Sequence, residues 1–348
     1  MTGRWLIGSL VVVVLVILTA SPVAAQDVPR VASGKPDLQG VWDFRTLTPL
    51  ERPEDQAQAV LTDEEAATLE RLTAEKEEHL LNRAAIRTAA GGNVDRAAAG
   101  ELPDGSVVNG SYGDHWLDRG TSVIATKRTS LIIDPPNGRT PELTPEAERK
   151  RAALVEARKD VGSHDPTPGG WVDDLGSNGL QVRCIVGFNA GPPMTPGGYN
   201  NNFQMFQTPD EVVIYNEMNH DPRVIPLDGR PFTGLRQWHG ESRGHWEGDT
   251  LVVETKNFFR ETAFMRGGTS ADLEVTERFT RQSPTVLNYE VTVSDPTTWT
   301  RPWTYVVPMQ RNPESIFEFA CHEGNYGLTN ILAGAREKEA AMDGETGR

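Results

Sequence analysis

The chain has 348 residues with 49 acidic and 34 basic side chains, which gives a formal net charge of −15. Such acidity disfavours nucleic acid as a partner, because affinity for phosphates depends on basic side chains that displace counterions. The length is enough for one large domain or two small ones with a substantial core. We therefore expect a globular protein whose partner is a small-molecule ligand or substrate.

Residues 1–25 are predicted to be an export signal. Arg4 precedes an apolar stretch from Leu6 to Leu18, and Val23-Ala24-Ala25 supplies small residues for a signal peptidase. The apolar stretch is shorter than the ~20 residues that a membrane-spanning helix needs. We expect cleavage in front of Gln26, a periplasmic or secreted protein, and no stable membrane anchor after signal cleavage.

The sequence contains two cysteines, Cys184 and Cys321, and both lie in the part predicted to be exported. In an oxidising compartment two such cysteines favour a disulfide bond. In the chain-entropy model, closing so long a loop stabilises the fold by about 4–5 kcal/mol. A catalytic thiol is the alternative, although it would leave the second cysteine unpaired.

The N-terminal half combines a short strand with two helices. The first strand is predicted at Leu38–Phe44. Thr62 and Glu65 form a capping-box pattern that begins a charged helix reaching about Arg87. Thr129–Ile133 is predicted as a strand, and a second helix begins at Thr144-Pro145 and reaches about residue 159. We interpret residues of about 61–160 as a helical insertion in a single β-rich domain, 26–348.

From Phe203 onward the hydrophobic pattern repeats every two residues, which is typical of half-buried strands. Sequential strands with short connections favour an antiparallel sheet, and Leu328–Ala335 predicts a C-terminal helix. The fold class is thus mainly β, either an antiparallel lipocalin-like β-barrel or a sandwich. The predicted strands are 211–218, 245–246, 250–255, 273–280, 286–294, 304–309 and 316–322.

Histidines beside acidic residues are the first candidates for catalysis. In the run around His220, Asp221 is adjacent and Arg223 follows two residues later, so a base, its partner and an anion clamp come together. His245 precedes a predicted hairpin turn that contains Glu247. A structural hydrogen-bonded pair is the alternative for each of these histidines.

His322 and Glu323 form another acid/base candidate, directly after Cys321. On a strand through this segment the two side chains would lie on opposite faces. They could therefore act on one ligand only if the strand ends near Cys321, which the following Gly324 favours.

Substrate-binding candidates are the large or polar side chains near these histidines. Aromatic rings can stack on a flat ligand, guanidinium groups can hold an oxyanion, and core packing is the alternative for the aromatic residues. The predicted substrate-binding residues are Trp238, His239, Arg243, Asn325 and Tyr326.

The sequence lacks the spacings that dictate a cofactor. It contains no HExxH helix motif, no GxGxxG fingerprint and no P-loop. We expect no cofactor and assign no metal ligands. A metal held by His239, His245 and a third histidine stays open as an alternative.

Four stretches resemble a widespread family of exported bacterial proteins. They are the segments 128–136, 225–230, 242–251 (SRGHWEGDTL) and 321–328 (CHEGNYGL). The resemblance covers most of the chain after about residue 125. It implies export and a single-domain organisation, and it implies no particular activity.

Together these patterns favour an exported enzyme that acts on a small organic molecule by cofactor-independent acid/base chemistry. A lyase, hydratase, isomerase or hydrolase would use such groups. A lipocalin-like carrier without catalysis is the alternative, and a His-ligated metalloenzyme is the second alternative. Convergence of His220, His245 and His322 would favour catalysis or metal binding, whereas dispersed histidines around an apolar cavity would favour a carrier.

Overall fold

The computed structural model describes residues 28–82, 117–161, 177–262 and 270–346. The predicted export signal, residues 1–25, lies outside this part of the chain. The strands are β1 Gly40–Asp43, β2 Ile132–Asp134, β3 Asn202–Gln207, β4 Glu211–Asn216, β5 Pro222–Pro226, β6 Glu241–Glu247, β7 Thr250–Lys256, β8 Glu274–Arg281, β9 Val286–Ser294 and β10 Trp303–Asn312. The helices are α1 Asp63–Asn82, α2 Pro145–Ala157, α3 Ser177–Val182 and α4 Tyr326–Thr346.

All ten strands belong to one antiparallel sheet. Its order is β5-β4-β3-β1-β10-β9-β8-β7-β6, and β2 pairs with β10 off this path. The edge strands β5 and β6 are not hydrogen-bonded to each other, so the sheet is not closed into a barrel. The expected mainly antiparallel β fold is confirmed. Of the two expected forms, the sandwich-like one fits the observed sheet and the closed barrel does not.

The two open edges nevertheless pack against each other. A Cβ atom built on Gly244 of β6 would lie 2.8 Å from a methyl group of Ile225 on β5 and 2.7 Å from Leu227. Glycine therefore lets the backbone of β6 approach the side chains of the opposite edge. The sheet curls until its first and last strands meet along this seam.

The core lies on the inner face of the curled sheet. On β9 the alternation is strict, so that every second side chain is buried. Burying each large apolar side chain stabilises the fold by about 1.5–3 kcal/mol. The largest buried side chains are Trp42, Trp303, Tyr289, Tyr305, Phe44, Phe203, Phe258 and Phe279.

Both predicted helix starts are confirmed. The amide of Glu65 donates to Oγ1 of Thr62 over 3.2 Å, and the amide of Thr62 donates to the Glu65 carboxylate over 2.7 Å, which is the reciprocal capping box. Thr144 caps α2 by accepting from the amide of Ala147 over 3.1 Å. Both helices fall in the predicted insertion, and the single-domain organisation stays a prediction. Among the described helices, none is long and apolar enough to cross a membrane.

The strand predicted at 316–322 is wrong. Residues 313–325 form no strand, and the chain turns at 321–324 before α4 begins. The backbone amides of Phe317 and Phe319 donate to the side chains of Glu217 and His220 instead of a neighbouring strand. His322 and Glu323 therefore lie in a turn and not on opposite faces of a strand.

Candidate functional site

The turn between β4 and β5, residues 217–221, has an unusual backbone. Asn219 and His220 both have positive φ angles, 61° and 52°, a conformation that costs energy in residues other than glycine. Buried Glu217 fixes this turn, because its carboxylate accepts from the side chain of Asn202 over 3.0 Å and from the amide of Phe317 over 2.9 Å. The turn is thus held in a defined geometry directly before Asp221.

Asp221 meets His239 across the seam between the sheet edges. Asp221 immediately precedes β5, and His239 lies two residues before β6. Nε2 of His239 lies against Oδ2 of Asp221, without the alignment of a good hydrogen bond. Asp221 is 30% exposed and His239 is 19% exposed, so the pair is partly accessible, although Nε2 itself is shielded from solvent.

The imidazole of His239 is held from its other side as well. Nδ1 lies 2.5 Å from the carbonyl oxygen of Gly191, which can only accept a hydrogen bond, so Nδ1 carries a proton. Nε2 faces the Asp221 carboxylate, another acceptor. One further proton can therefore be shared between His239 and Asp221, which is the property of an acid/base pair.

Arg223, two residues after Asp221 in the chain, belongs to a buried polar network. Arg223 forms a bidentate ion pair with Glu277 of β8, one of its hydrogen bonds being 2.9 Å long. Tyr289 donates to the same carboxylate over 2.7 Å. Burial would lower the pKa of Arg223, but the charge of Glu277 outweighs it and raises that pKa above its ordinary value. The guanidinium of Arg223 is thus committed to Glu277.

The loop around Gly191 connects this network to His239. The amide of Met194 donates to the hydroxyl of Tyr289 over 3.0 Å, and the hydroxyl of Tyr305 donates to the carbonyl of Met194 over 2.7 Å. Burial raises the pKa of both tyrosines well above the ordinary value, so they stay neutral donors. The loop that supplies the Gly191 carbonyl to His239 is therefore fixed from the core side.

His220 lies beside Asp221 but is differently engaged. Its Nε2 accepts a hydrogen bond from the amide of Phe319 over 2.7 Å, and its ring stacks on Tyr215 with centroids 6.3 Å apart. The nitrogen lone pair that a general base would use is occupied by this backbone donor. In this arrangement His220 holds the 313–325 segment against the turn.

The predicted disulfide between Cys184 and Cys321 is confirmed, with Cα atoms 5.8 Å apart. Asn325 acts beside it, because its side-chain amide donates to the carbonyl of Val182 over 2.8 Å and its Oδ1 accepts from the amide of Leu328 over 3.2 Å. Asn325 therefore caps the start of α4 and ties it to α3.

His245 lies elsewhere on the molecule. It is on β6 close to the hairpin, about 13 Å along the strand from Glu241, and its Nε2 is 3.3 Å from the carboxylate of Glu247. Arg278 donates to the same carboxylate over 2.8 Å. The hydrogen bond from Arg278 and, to a smaller extent, that from His245 lower the pKa of Glu247. This exposed pair is separate from Asp221 and His239.

The remaining predicted residues are distributed around the seam and the disulfide. Trp238 packs on Phe259 with ring centroids 4.7 Å apart. Arg243 pairs with buried Glu241. The other three, His322, Glu323 and Tyr326, are exposed near the turn that carries Cys321. Among the predicted residues, the structure thus joins Asp221 to His239.

Metal binding has no ready-made ligand set in the described ranges. Within them, no group of three or more His, Cys, Asp or Glu side chains is arranged to hold a metal ion. Asp221 and His239 together provide two such side chains, and a metal site of the usual kind needs at least three.

Sequence reasoning missed the core partners of the site. Gly191, Met194, Glu277, Tyr289 and Tyr305 were not among the predicted residues. Glu277 left a signal, because it occupies an inward position of β8 between buried Val275 and Phe279, where a charge requires a partner. The Gly191–Met194 loop left none.

Comparison with known proteins finds no matching family model, no matching curated protein and no matching solved structure. The resemblance of the chain to a family of exported bacterial proteins therefore stays a prediction.

Proposed function

We propose that the protein is an exported enzyme that acts on a small organic molecule by acid/base chemistry at Asp221 and His239. The observation that carries this proposal is the contact between the two side chains at a partly open seam, with the imidazole ring fixed from behind by Gly191. The disulfide is compatible with an oxidising compartment and supports export.

In the proposed reaction Asp221 contacts the substrate. Its second oxygen, Oδ1, has no hydrogen-bond partner among the residues described, and the side chain is 30% exposed. Asp221 takes a proton from an acidic C–H or O–H group of the substrate, and neutral His239, whose Nε2 lone pair faces Oδ2, shares that proton afterwards. Return of that proton to another substrate atom completes an isomerisation, and its return to a leaving group completes an elimination.

The proposal requires a rigid pair rather than a flexible one, since acid/base efficiency depends on geometry. The positive-φ turn before Asp221 and the loop at Gly191 supply this rigidity from two directions. Cofactor-free chemistry is part of the proposal, because the described pair can exchange a proton with a substrate without another group.

The test uses full-length, signal-processed, disulfide-bonded protein. Pools of small organic acids, carbonyl compounds and hydroxy acids are incubated with it in D₂O, and ¹H NMR follows both turnover and exchange of substrate protons. For a substrate found in this way we expect Asp221→Asn to lower the rate by about 100-fold or more. His239→Gln should also lower the rate, mainly through kcat.

Two exposed residues provide matched controls. Asp228→Asn replaces a carboxylate that pairs with Arg230 between β5 and β6, and His79→Gln replaces an exposed imidazole on α1. Both should keep the wild-type rate. Full activity of Asp221→Asn would overturn the proposal. Ligand binding that depends on Asp221, without turnover or exchange in any pool, would establish the carrier instead.

A further inference from the structure

Arg52 and Arg128 lie on neighbouring segments of the chain that are remote in sequence from Asp221 and His239. The segment at Pro49 runs beside Leu131, whose amide donates to the carbonyl of Pro49 over 2.8 Å. The amide of Arg52 donates to the carbonyl of Gly138 over 2.8 Å. This backbone pairing brings Arg52 next to the segment that carries Arg128.

Both guanidinium groups are positioned around Ser130 and its neighbours. Nε of Arg52 donates to Oγ1 of Thr129 over 3.0 Å. Nη2 of Arg128 donates over 3.1 Å to the carbonyl of Ile132, and the hydroxyl of Ser130 donates to the same carbonyl over 3.0 Å. Each guanidinium is therefore oriented by one hydrogen bond to the protein and retains further N–H donors.

Gly138 allows this close arrangement. Its φ angle is 73°, and a Cβ atom built on it would lie 2.3 Å from Oγ of Ser130 and 3.1 Å from Nη2 of Arg52. A side chain at this position would clash with the hydroxyl of Ser130. Glycine therefore lets this turn pack directly on Ser130 and close to Arg52.

Each arginine has a buried nitrogen that lacks a partner in the part of the chain that the structure describes. Nη2 of Arg52 and Nε of Arg128 are shielded from solvent and have no hydrogen-bond partner among the described residues. Among the same described residues, neither guanidinium has a carboxylate within ion-pair distance. Because arginine stays charged, it cannot relieve this deficit by losing a proton.

The neighbouring carboxylates are engaged elsewhere. Glu51 accepts from the amide of Thr140 over 2.9 Å and from its hydroxyl. Glu54 is 3.7 Å from Arg139, and Asp134 pairs with Arg301. In a protein with a net charge of −15, Arg52 and Arg128 thus have no carboxylate partner among the described residues.

We propose that Arg52 and Arg128 form a binding site for an oxyanion, the phosphate, sulfate or carboxylate group of a small molecule. The planar guanidinium presents two parallel N–H donors that match two oxygens of such a group. Two guanidiniums around Ser130 supply charge and hydrogen bonds from different directions. The site makes no use of Asp221 or His239 and stands independently of the acid/base proposal.

The test measures binding of inorganic phosphate and of sulfate to the wild-type protein by calorimetry, at constant ionic strength maintained with chloride. We expect saturable binding of one oxyanion per chain. Arg52→Gln and Arg128→Gln should each weaken the affinity by at least about tenfold, since each removes charge-assisted hydrogen bonds to the anion. The matched control is Arg139→Gln, which removes a nearby arginine that has a carboxylate partner, and it should bind normally.

Lysine variants separate binding from folding. Arg52→Lys and Arg128→Lys keep the charge but lose the planar fork, so intermediate affinity is expected with a folded circular-dichroism spectrum. A second arm uses vesicles of phosphatidylglycerol, and vesicle binding that is lost in Arg128→Gln would identify a lipid headgroup as the source of the oxyanion. Absence of saturable phosphate and sulfate binding to the folded wild-type protein, together with no arginine-dependent vesicle binding, would overturn the site. Wild-type affinity for phosphate and sulfate in both glutamine variants would overturn it too.

Discussion

Arg223 and Glu277 form an ion pair that is sealed inside the curled sheet, one from the edge strand β5 and the other from β8. Glu277 is fully buried and Arg223 nearly so. The pair links the strand that follows Asp221 to the tyrosines that hold the Gly191 loop. Through this connection the core and the candidate site share one set of hydrogen bonds.

Removing the charge of Glu277 should destabilise the protein severely. Glu277→Gln leaves Arg223 charged and buried without its counter-ion. We expect this uncompensated charge to lower the unfolding free energy by about 3–5 kcal/mol. Urea denaturation measures this difference. Glu290→Gln on the partly exposed side of β9 is the control and should change stability by less than about 0.5 kcal/mol. Similar effects of the two substitutions would show that the buried pair is not a stabilising element.

The disulfide should contribute most of the stability of the segment 313–325. Replacing both Cys184 and Cys321 by serine is expected to lower the unfolding free energy by about 4–5 kcal/mol, because the unfolded chain regains the freedom of a long loop. Thermal denaturation with and without a reductant measures this. The reductant should lower the melting temperature of the wild type and leave the double variant unchanged. A wild type insensitive to complete reduction would contradict the prediction.

Glu241 should make stability depend on acid. Burial would raise its pKa, but hydrogen bonds from the amides of Thr233 and Gly234 and from the side chain of Asn257 outweigh it and lower the pKa to about 2. Because the folded-state pKa lies below the ordinary value of 4.5, the stabilisation is complete above about pH 4.5 and is lost as the pH falls towards 2.

Urea midpoints between pH 6 and pH 2 measure this loss, with Glu241→Gln for comparison. The glutamine variant should be less stable at pH 6, and its difference from the wild type should shrink steadily below pH 4.5. A difference that stays constant down to pH 2 would contradict the depressed pKa.

The N-terminal cap of α2 should make a measurable contribution of its own to the stability of the protein. Thr144→Ala removes the acceptor for the amide of Ala147 and also a hydrogen bond of 2.6 Å from its hydroxyl to the carbonyl of Thr297. We expect a loss of about 1–2 kcal/mol in chemical denaturation. Thr144→Ser retains a hydroxyl and should lose less than half as much. Equal losses would assign the effect to the methyl group of Thr144 rather than to the cap.

Local patterns sufficed for many elements because their causes are local. The capping residues Thr62 and Thr144 marked the two helix starts, and alternation marked β9 with its observed bounds. The strand β5 was missed, since prolines at both of its ends, Pro222 and Pro226, are typical of turns. Proline is tolerated there because β5 is an edge strand, and only the sheet order shows that.

The strand predicted at 316–322 was wrong because a local pattern suggested a strand that the tertiary structure does not form. Its alternating pattern is that of a strand, yet the disulfide and the β4–β5 turn hold it where it pairs with no described strand. The amides of Phe317 and Phe319 donate to the side chains of Glu217 and His220, as they would otherwise donate to a neighbouring strand.

The sequence by itself determined the mainly β class, the two helix caps and the single possible disulfide, since each follows from a short pattern or from a count of two cysteines. Only the tertiary structure decided that Asp221 pairs with His239 rather than with adjacent His220. The two residues are separated along the chain and meet because the sheet curls until β5 and β6 lie side by side. Curvature accumulates over all the intervening strands, so no local pattern records which residues its edges bring together.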